Sequence, residues 1–177
     1  AGLADVPVVL HLDHGTDFDQ NVRCLRAGFT SLMYDGSKKP FDENVATTRR
    51  VCEIAHLVGI PVEAELGRVL QSTDGVTPEE VEAAMTQPDE AQRFIALTGA
   101  DSLAVACGSV HAMKSREAEL DIERIKAIHA RIPDIPLVLH GSSGVKHESV
   151  LAAIENGVAK VNVATYLNQG FTEAMRR

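Results

Sequence analysis

Tryptophan is absent from the sequence, and other aromatic residues are scarce, with two tyrosines and five phenylalanines. Stacking platforms for bases or sugars rest on exposed rings, so this chain is poorly equipped for them. Positive charge is also in deficit: 17 Lys and Arg face 25 Asp and Glu, a formal net charge of −8. Nucleic acids and anionic membranes select clustered cations, and that argues against both as partners. No apolar run approaches the ~20 residues that cross a bilayer. The opening AGLADVPVVL has neither the basic start nor the long apolar centre of a secretion signal. Cys24, Cys52 and Cys107 are odd in number and form no CxxC pair. They fit reduced thiols in a cytoplasmic protein better than a disulfide framework. No GxGxxG follows the first apolar run, which leaves a dinucleotide fold without direct support.

What the chain does contain is enough apolar sequence, 45% of 177 residues, to bury one substantial core. Short β-branched runs alternate with longer segments of helical period. The runs predict strands at 6–12, 29–35, 60–66, 101–107, 136–140 and 159–164. The intervening segments predict helices at 17–28, 40–59, 89–99, 120–132 and 147–157. Gly28, Gly59, Gly99 and Gly157 mark helix ends, where a left-handed C-cap needs no Cβ. Pro40 suits a helix start, and Asp134–Pro136 a turn into a strand.

Strands apolar on both faces and separated by helices imply a parallel sheet covered by helices. A doubly wound sheet satisfies this pattern, and so does part of a (β/α)8 barrel, whose full length is about 250 residues. The polar residues separate the two. Asp13 and His14, Asp35, Glu63 and Glu65, His111, His140 and Asn162 each sit at or just beyond a predicted strand end. A doubly wound sheet gathers its ligand residues mainly at one switch point, whereas a barrel turns every strand end toward one mouth. Six decorated ends favour an α/β TIM barrel, with residues 1–177 as a single barrel-like domain of about six βα units.

His14, His111 and His140 are distant in sequence, yet each follows a strand. Three imidazoles with an open position beside them describe a catalytic zinc site. Glu65 is either a further ligand or a carboxylate that orients a histidine. Asp13 has two readings of equal standing, a proton donor at a metal-held oxygen or a carboxylate that only orients His14. His11, His56, His129 and His147 lack the pattern and read as structural or surface residues. HGSSG at 140–144 is a small-residue turn entering a helix, beside VNVAT at 161–165. Its N–H groups and hydroxyls can hold phosphate oxygens, and late-strand loops are the usual phosphate site of a barrel.

These same residues carry a resemblance. LHLDHG (10–15), FTSLMYDGS (29–37), NVATTRRVCEIAHLVGIPVEAELG (44–67), TGADSLAVACGSVH (98–111), LVLHGSSG (137–144) and KVNVAT (160–165) resemble the class II, zinc-dependent ketose-bisphosphate aldolases. The pieces come in family order and cover most of the chain. KVNVAT looks closer to the tagatose-bisphosphate branch, since many fructose-type members carry an acid where Ala164 stands. The resemblance implies a TIM barrel represented from the third strand to the helix after the eighth. It implies zinc on His14, His111 and His140, with Glu65 able to contact a mobile metal. Asp13 would protonate the aldehyde oxygen during condensation, with Asp35 and Glu63 supporting the site. Gly141, Ser143 and Thr165 would hold phosphate, Asn162 the dihydroxyacetone-phosphate part, and a monovalent cation (Na+ or K+) would lie near the phosphate. A homo-oligomer, dimer or tetramer, is expected. A Lewis acid route also suits the absence of a strand-end lysine for a Schiff base.

One segment departs from the family. After VEAELG a glycine-rich loop with an acidic pair is usual, but this chain reads RVLQSTDG at 68–75. Leu70 and Gln71 replace the glycines and Thr73 stands where the loop glutamate would be, leaving Asp74 as the candidate base. Ala112 likewise replaces a glycine. The leading expectation is zinc-dependent cleavage of fructose or tagatose bisphosphate, or of a different phosphorylated sugar. A non-catalytic zinc- and sugar-phosphate-binding relative is the alternative. Zinc-assisted hydrolysis is a third reading, but it gives HGSSG and Asn162 no role.

Overall fold

The computed structural model describes residues 4–70, 75, 77–110 and 117–176. Helices α1 (Phe18–Arg26), α2 (Phe41–His56), α3 (Pro78–Ala84), α4 (Pro88–Thr98), α5 (Ile122–Arg131), α6 (His147–Glu155) and α7 (Thr165–Met175) alternate with short strands. The strands are β1 (Leu32–Tyr34), β2 (Val62–Leu66), β3 (Ser102–Val105), β4 (Leu137–Leu139) and β5 (Val158–Val161). Their sheet order is their chain order, β1-β2-β3-β4-β5. The described pairs are parallel, β1 with β2 and β4 with β5. A parallel neighbour in chain order requires a crossover, and a helix supplies each one.

Contacts group the chain into two compact units, Ala1–Glu65 with Arg93–Leu103, and Leu66–Gln92 with Ala104–Arg177. In the first, Asp17 caps α1 by accepting from the Gln20 N–H at 2.7 Å, the donor a helix start leaves unpaired. Leu32, Met33 and Tyr34 of β1 and all five residues of β2 are buried. Helix α2 turns Val51, Cys52 and Ala55 inward, and Phe94 is fully buried with its ring edge-on to Phe41. In the second unit, Ile125 and Ile128 of α5 and Ala153 of α6 bury the apolar stripe that the helical period predicts. Gly28, Gly59, Gly99 and Gly157 all have positive φ at helix ends, as expected.

Two elements differ from the sequence expectation. Residues 6–12 do not form a named strand. They approach the segment before β1 only through a bridge from His11 to Ser31 and bonds such as Leu12 N–H to the Ser31 carbonyl. Val6, Val8, Val9 and Leu10 are all more than half exposed, so the expected two-sided burial does not extend there. Helix α3, in turn, lies where the sequence pattern assigns no element. Thr77 and Glu80 form a reciprocal capping box and Pro78 starts the first turn, but α3 buries none of its residues. Pro40 is the N-cap of α2, one residue before the helix rather than inside it.

Candidate active site

The first unit assembles a histidine among carboxylates. Glu63 and Glu65 are two apart on β2, so the pleat aims them at one face, and both are buried. Asp35 follows β1, and His14 lies at the turn after the extended segment. The His14 Nδ1 is 2.9 Å from Asp35 Oδ2 and 3.7 Å from Glu65 Oε2. One ligand atom each from His14, Asp35 and Glu65 falls within 4.8 Å of the others. Asp35 is itself steadied by accepting the Ser37 N–H on Oδ1 at 3.0 Å. Exposed Asp13 adds its negative charge near the same imidazole.

The charges fix the protonation preferences. His14 is raised from its ordinary 6.5, chiefly by the Asp35 hydrogen bond, against burial and with help from Glu65 and Asp13. Burial pushes Asp35 upward, but the bonds from His14 and Ser37 outweigh it and hold this carboxyl at about 2. A carboxylate beside Nδ1 favours the tautomer protonated there, the arrangement in which a histidine ligates a metal through Nε2.

Sequence reasoning set His11 aside as structural, and the structure ties it to the same surroundings. Its Nδ1 hydrogen-bonds Ser31 Oγ at 2.8 Å, and its Nε2 is 3.7 Å from Glu63 Oε2. Beneath the carboxylates lies a residue that sequence reasoning missed. Asn44 of α2 is buried and donates from Nδ2 to the Glu65 carbonyl at 3.0 Å. An asparagine in the first turn of a helix reads as surface, and only its spacing to Thr48 on the buried face could have signalled otherwise.

The second unit holds the other described candidates. His140 is buried just beyond β4, and Asn162 Nδ2 lies 3.2 Å from its Nε2, with the amide donating to the ring lone pair. Gly141 takes a left-handed φ of 68° and leads into a 3-10 turn at Ser142–Gly144. Ser142 donates to the Asn162 carbonyl at 2.6 Å, while Ser143 Oγ accepts the Tyr166 N–H at the start of α7. Thr165 is the first residue of that helix. Ser143 thus meets the start of α7 next to Thr165, and a cavity of about 110 Å³ is lined by Ser142, Ser143, His147 and Val161 among others, but not by Gly141 or Thr165. His111 and Asp74 lie outside the described residues.

With this geometry in place, comparison with known proteins is decisive about family. The family model for class-II fructose-bisphosphate aldolase matches residues 1–177. The chain is 37% identical to the YdjI aldolase of Escherichia coli K12, with a TM-score of 0.83, covering 99% of this chain and 60% of that one. A putative fructose-1,6-bisphosphate aldolase from Coccidioides immitis is 38% identical, with a TM-score of 0.86 and coverages of 99% and 63%. The fructose-bisphosphate aldolase of Campylobacter jejuni is 25% identical, with a TM-score of 0.74 and coverages of 97% and 54%. The chain belongs to the class II fructose-bisphosphate aldolase family, and its α/β fold is that of these barrel enzymes over the part it shares. It spans less than two thirds of the length of each of these solved relatives.

Proposed function

We propose that this protein carries out zinc-dependent aldol cleavage and condensation of a ketose 1,6-bisphosphate, releasing dihydroxyacetone phosphate and an aldehyde. The observation that carries this reading is the His14–Asp35–Glu65 cluster, in which a carboxylate holds the imidazole and a buried acid stands beside it. Such a donor set fits a borderline divalent ion, and His14, His111 and His140 would hold it with Glu65 in reserve. When bound, zinc supplies a Lewis acid for the carbonyl oxygen of the sugar.

The remaining work falls to the chain's own groups. Asp35 keeps the His14 ring in one orientation, and Glu63 keeps His11 in place. Asp13, exposed beside His14, passes a proton to the aldehyde oxygen in condensation and recovers it in cleavage. Gly141, Ser143 and Thr165 bind phosphate through N–H and hydroxyl groups, and Asn162 contacts the dihydroxyacetone-phosphate half. Asp74 takes the carbon-bound proton in place of the family's loop glutamate. A sodium or potassium ion beside the phosphate, a cytoplasmic location and a dimer or tetramer complete the reading, with fructose or tagatose bisphosphate as the sugar.

A coupled triose-phosphate assay with zinc added and then chelated tests it. Triose phosphate should form from fructose or tagatose bisphosphate only with zinc, be abolished in His140→Ala and fall at least 100-fold in Asp13→Ala. Thr73, standing where a base is expected, favours one competing reading, a relative that binds zinc and sugar phosphate without turnover. Binding with no triose product under zinc would establish that reading instead. Release of inorganic phosphate would point to hydrolysis.

A further inference from the structure

Glu65 and Asp35 stand at two separate strand ends, and one buried amide bonds the backbone of the first and packs against the backbone that follows the second. Asn44 is 2% exposed and sits in the first turns of α2. The Glu65 carbonyl can only accept, so the Asn44 nitrogen must face it, across 3.0 Å. That choice leaves Oδ1 facing Thr48, whose hydroxyl donates to it at 3.0 Å. The same oxygen packs against the backbone that follows Asp35. A Cβ built on Gly36 would lie 2.2 Å from Asn44 Oδ1, so the residue after Asp35 can approach this closely only as glycine. Both polar ends of the amide are thus committed, one to the strand bearing Glu65 and the other to Thr48 and the turn bearing Asp35.

We propose that Asn44, oriented by Thr48, is a positioning residue for the metal-binding cluster, setting the spacing between the Asp35 turn and Glu65 and, through Asp35, the angle of the His14 ring. This rests on the reading of His14 and Glu65 as zinc ligands. Groups behind the ligands of metal sites characteristically change metal affinity about 10–100-fold when removed. A buried amide that only filled space would change stability and leave metal affinity alone.

The test uses metal-free protein, zinc alone as probe, and competition with a chromogenic chelator, alongside hydrogen exchange at the Ser37 amide, which bonds Asp35 Oδ1. Asn44→Ala should bind zinc about 10–100-fold more weakly and Thr48→Val roughly tenfold more weakly, with Thr48→Ser close to wild type. Ser37 should exchange faster in both impaired variants. Thr98→Val is the control: it removes another buried hydroxyl, bonded to the Phe94 carbonyl at 2.8 Å, and should cost stability without touching zinc affinity or Ser37. If Asn44→Ala and Thr48→Val match this control, with zinc affinity within about twofold of wild type and Ser37 unchanged, the proposal is overturned. Should Asn44→Ala fail to fold, Thr48→Val decides by the same readouts. Failure of wild type to bind zinc would refute the functional reading, and Ser37 exchange would still decide whether Asn44 orders the Asp35 turn.

Discussion

Asp35→Asn isolates the electrostatic part of the candidate site, and its effect should depend on pH in a defined way. In metal-free protein the drop of the Asp35 carboxyl from 3.8 to about 2 corresponds to roughly 2–3 kcal/mol, at about 1.4 kcal/mol per pH unit. His14 is one third exposed and Asp35 about one seventh, so solvent screening reduces the attainable value to about 1–2 kcal/mol. Asp35 has a folded pKa below its unfolded one, so its contribution is complete above about 4 and fades as pH falls through about 2. His14 is raised, so its contribution is complete below 6.5 and fades as pH rises through its folded value. The two shifts describe one interaction from its two ends and are not added. The pair therefore stabilises most between about pH 4 and 6.5. Urea unfolding of wild type and Asp35→Asn at pH 2, 5 and 9 should show the largest difference at pH 5 and smaller ones on both sides. An equal difference at all three would refute the reasoning and assign the loss to packing or neutral hydrogen bonding.

Two further predictions concern the interior. Thr86 is buried, donates to the Leu66 carbonyl at 2.5 Å and accepts the Ala106 N–H at 2.8 Å. Thr86→Val leaves both backbone groups unpaired and should destabilise by roughly 2–4 kcal/mol in urea, whereas Thr86→Ser should stay within about 1 kcal/mol of wild type. Burial pushes the Cys52 and Cys107 thiols up to about 12, while Cys24 is partly exposed. A chromogenic disulfide reagent at pH 8 should therefore label one thiol per folded chain and three after unfolding. Rapid labelling of three in the folded protein would show that these two cysteines are not enclosed.

The parts of the fold that were legible in the sequence are those set by period and punctuation. Runs such as LMY and VEAEL between helical segments gave strands at the expected places, because a parallel sheet buried on both faces has few other solutions. The strand-end pattern put Asp35, Glu65 and His14 at ends that parallel strands deliver to one side, while the approach of His14 Nδ1 to Asp35 and Glu65 is visible only in the structure. Residues 6–12 misled because β-branched composition reports a preference for extended backbone, not the presence of a partner along the whole run. Helix α3 carries its signal in Thr77, Pro78 and Glu80, the capping-box spacing, and lacks the apolar stripe by which the other helices show because it buries no residue. Asn44 and Thr86 were illegible for a different reason. A buried polar residue is defined by the partner it meets across the fold, and sequence spacing does not show that partner.

The turn at His14 shows how function and folding pull against each other here. His14 has a φ of 51°, the left-handed region where a Cβ is unwelcome, and it is the one non-glycine residue there among those described. Its neighbour Gly15 has a separate reason to lack a side chain, since a Cβ there would lie 2.4 Å from the Met33 carbonyl oxygen. The chain thus passes close against β1 at Gly15 and bulges at His14 to do so, running parallel to the β1 segment at both His11 and Gly15. For folding alone, glycine would suit both positions, and a histidine at the first costs of order 1–3 kcal/mol in backbone strain. The pairing with Asp35, worth a comparable amount, opposes that strain only because the imidazole is held where Asp35 and Glu65 converge. A residue that folds less easily than glycine, retained at the one point where its ring meets two acids, is better accounted for by what the ring binds than by the turn it makes.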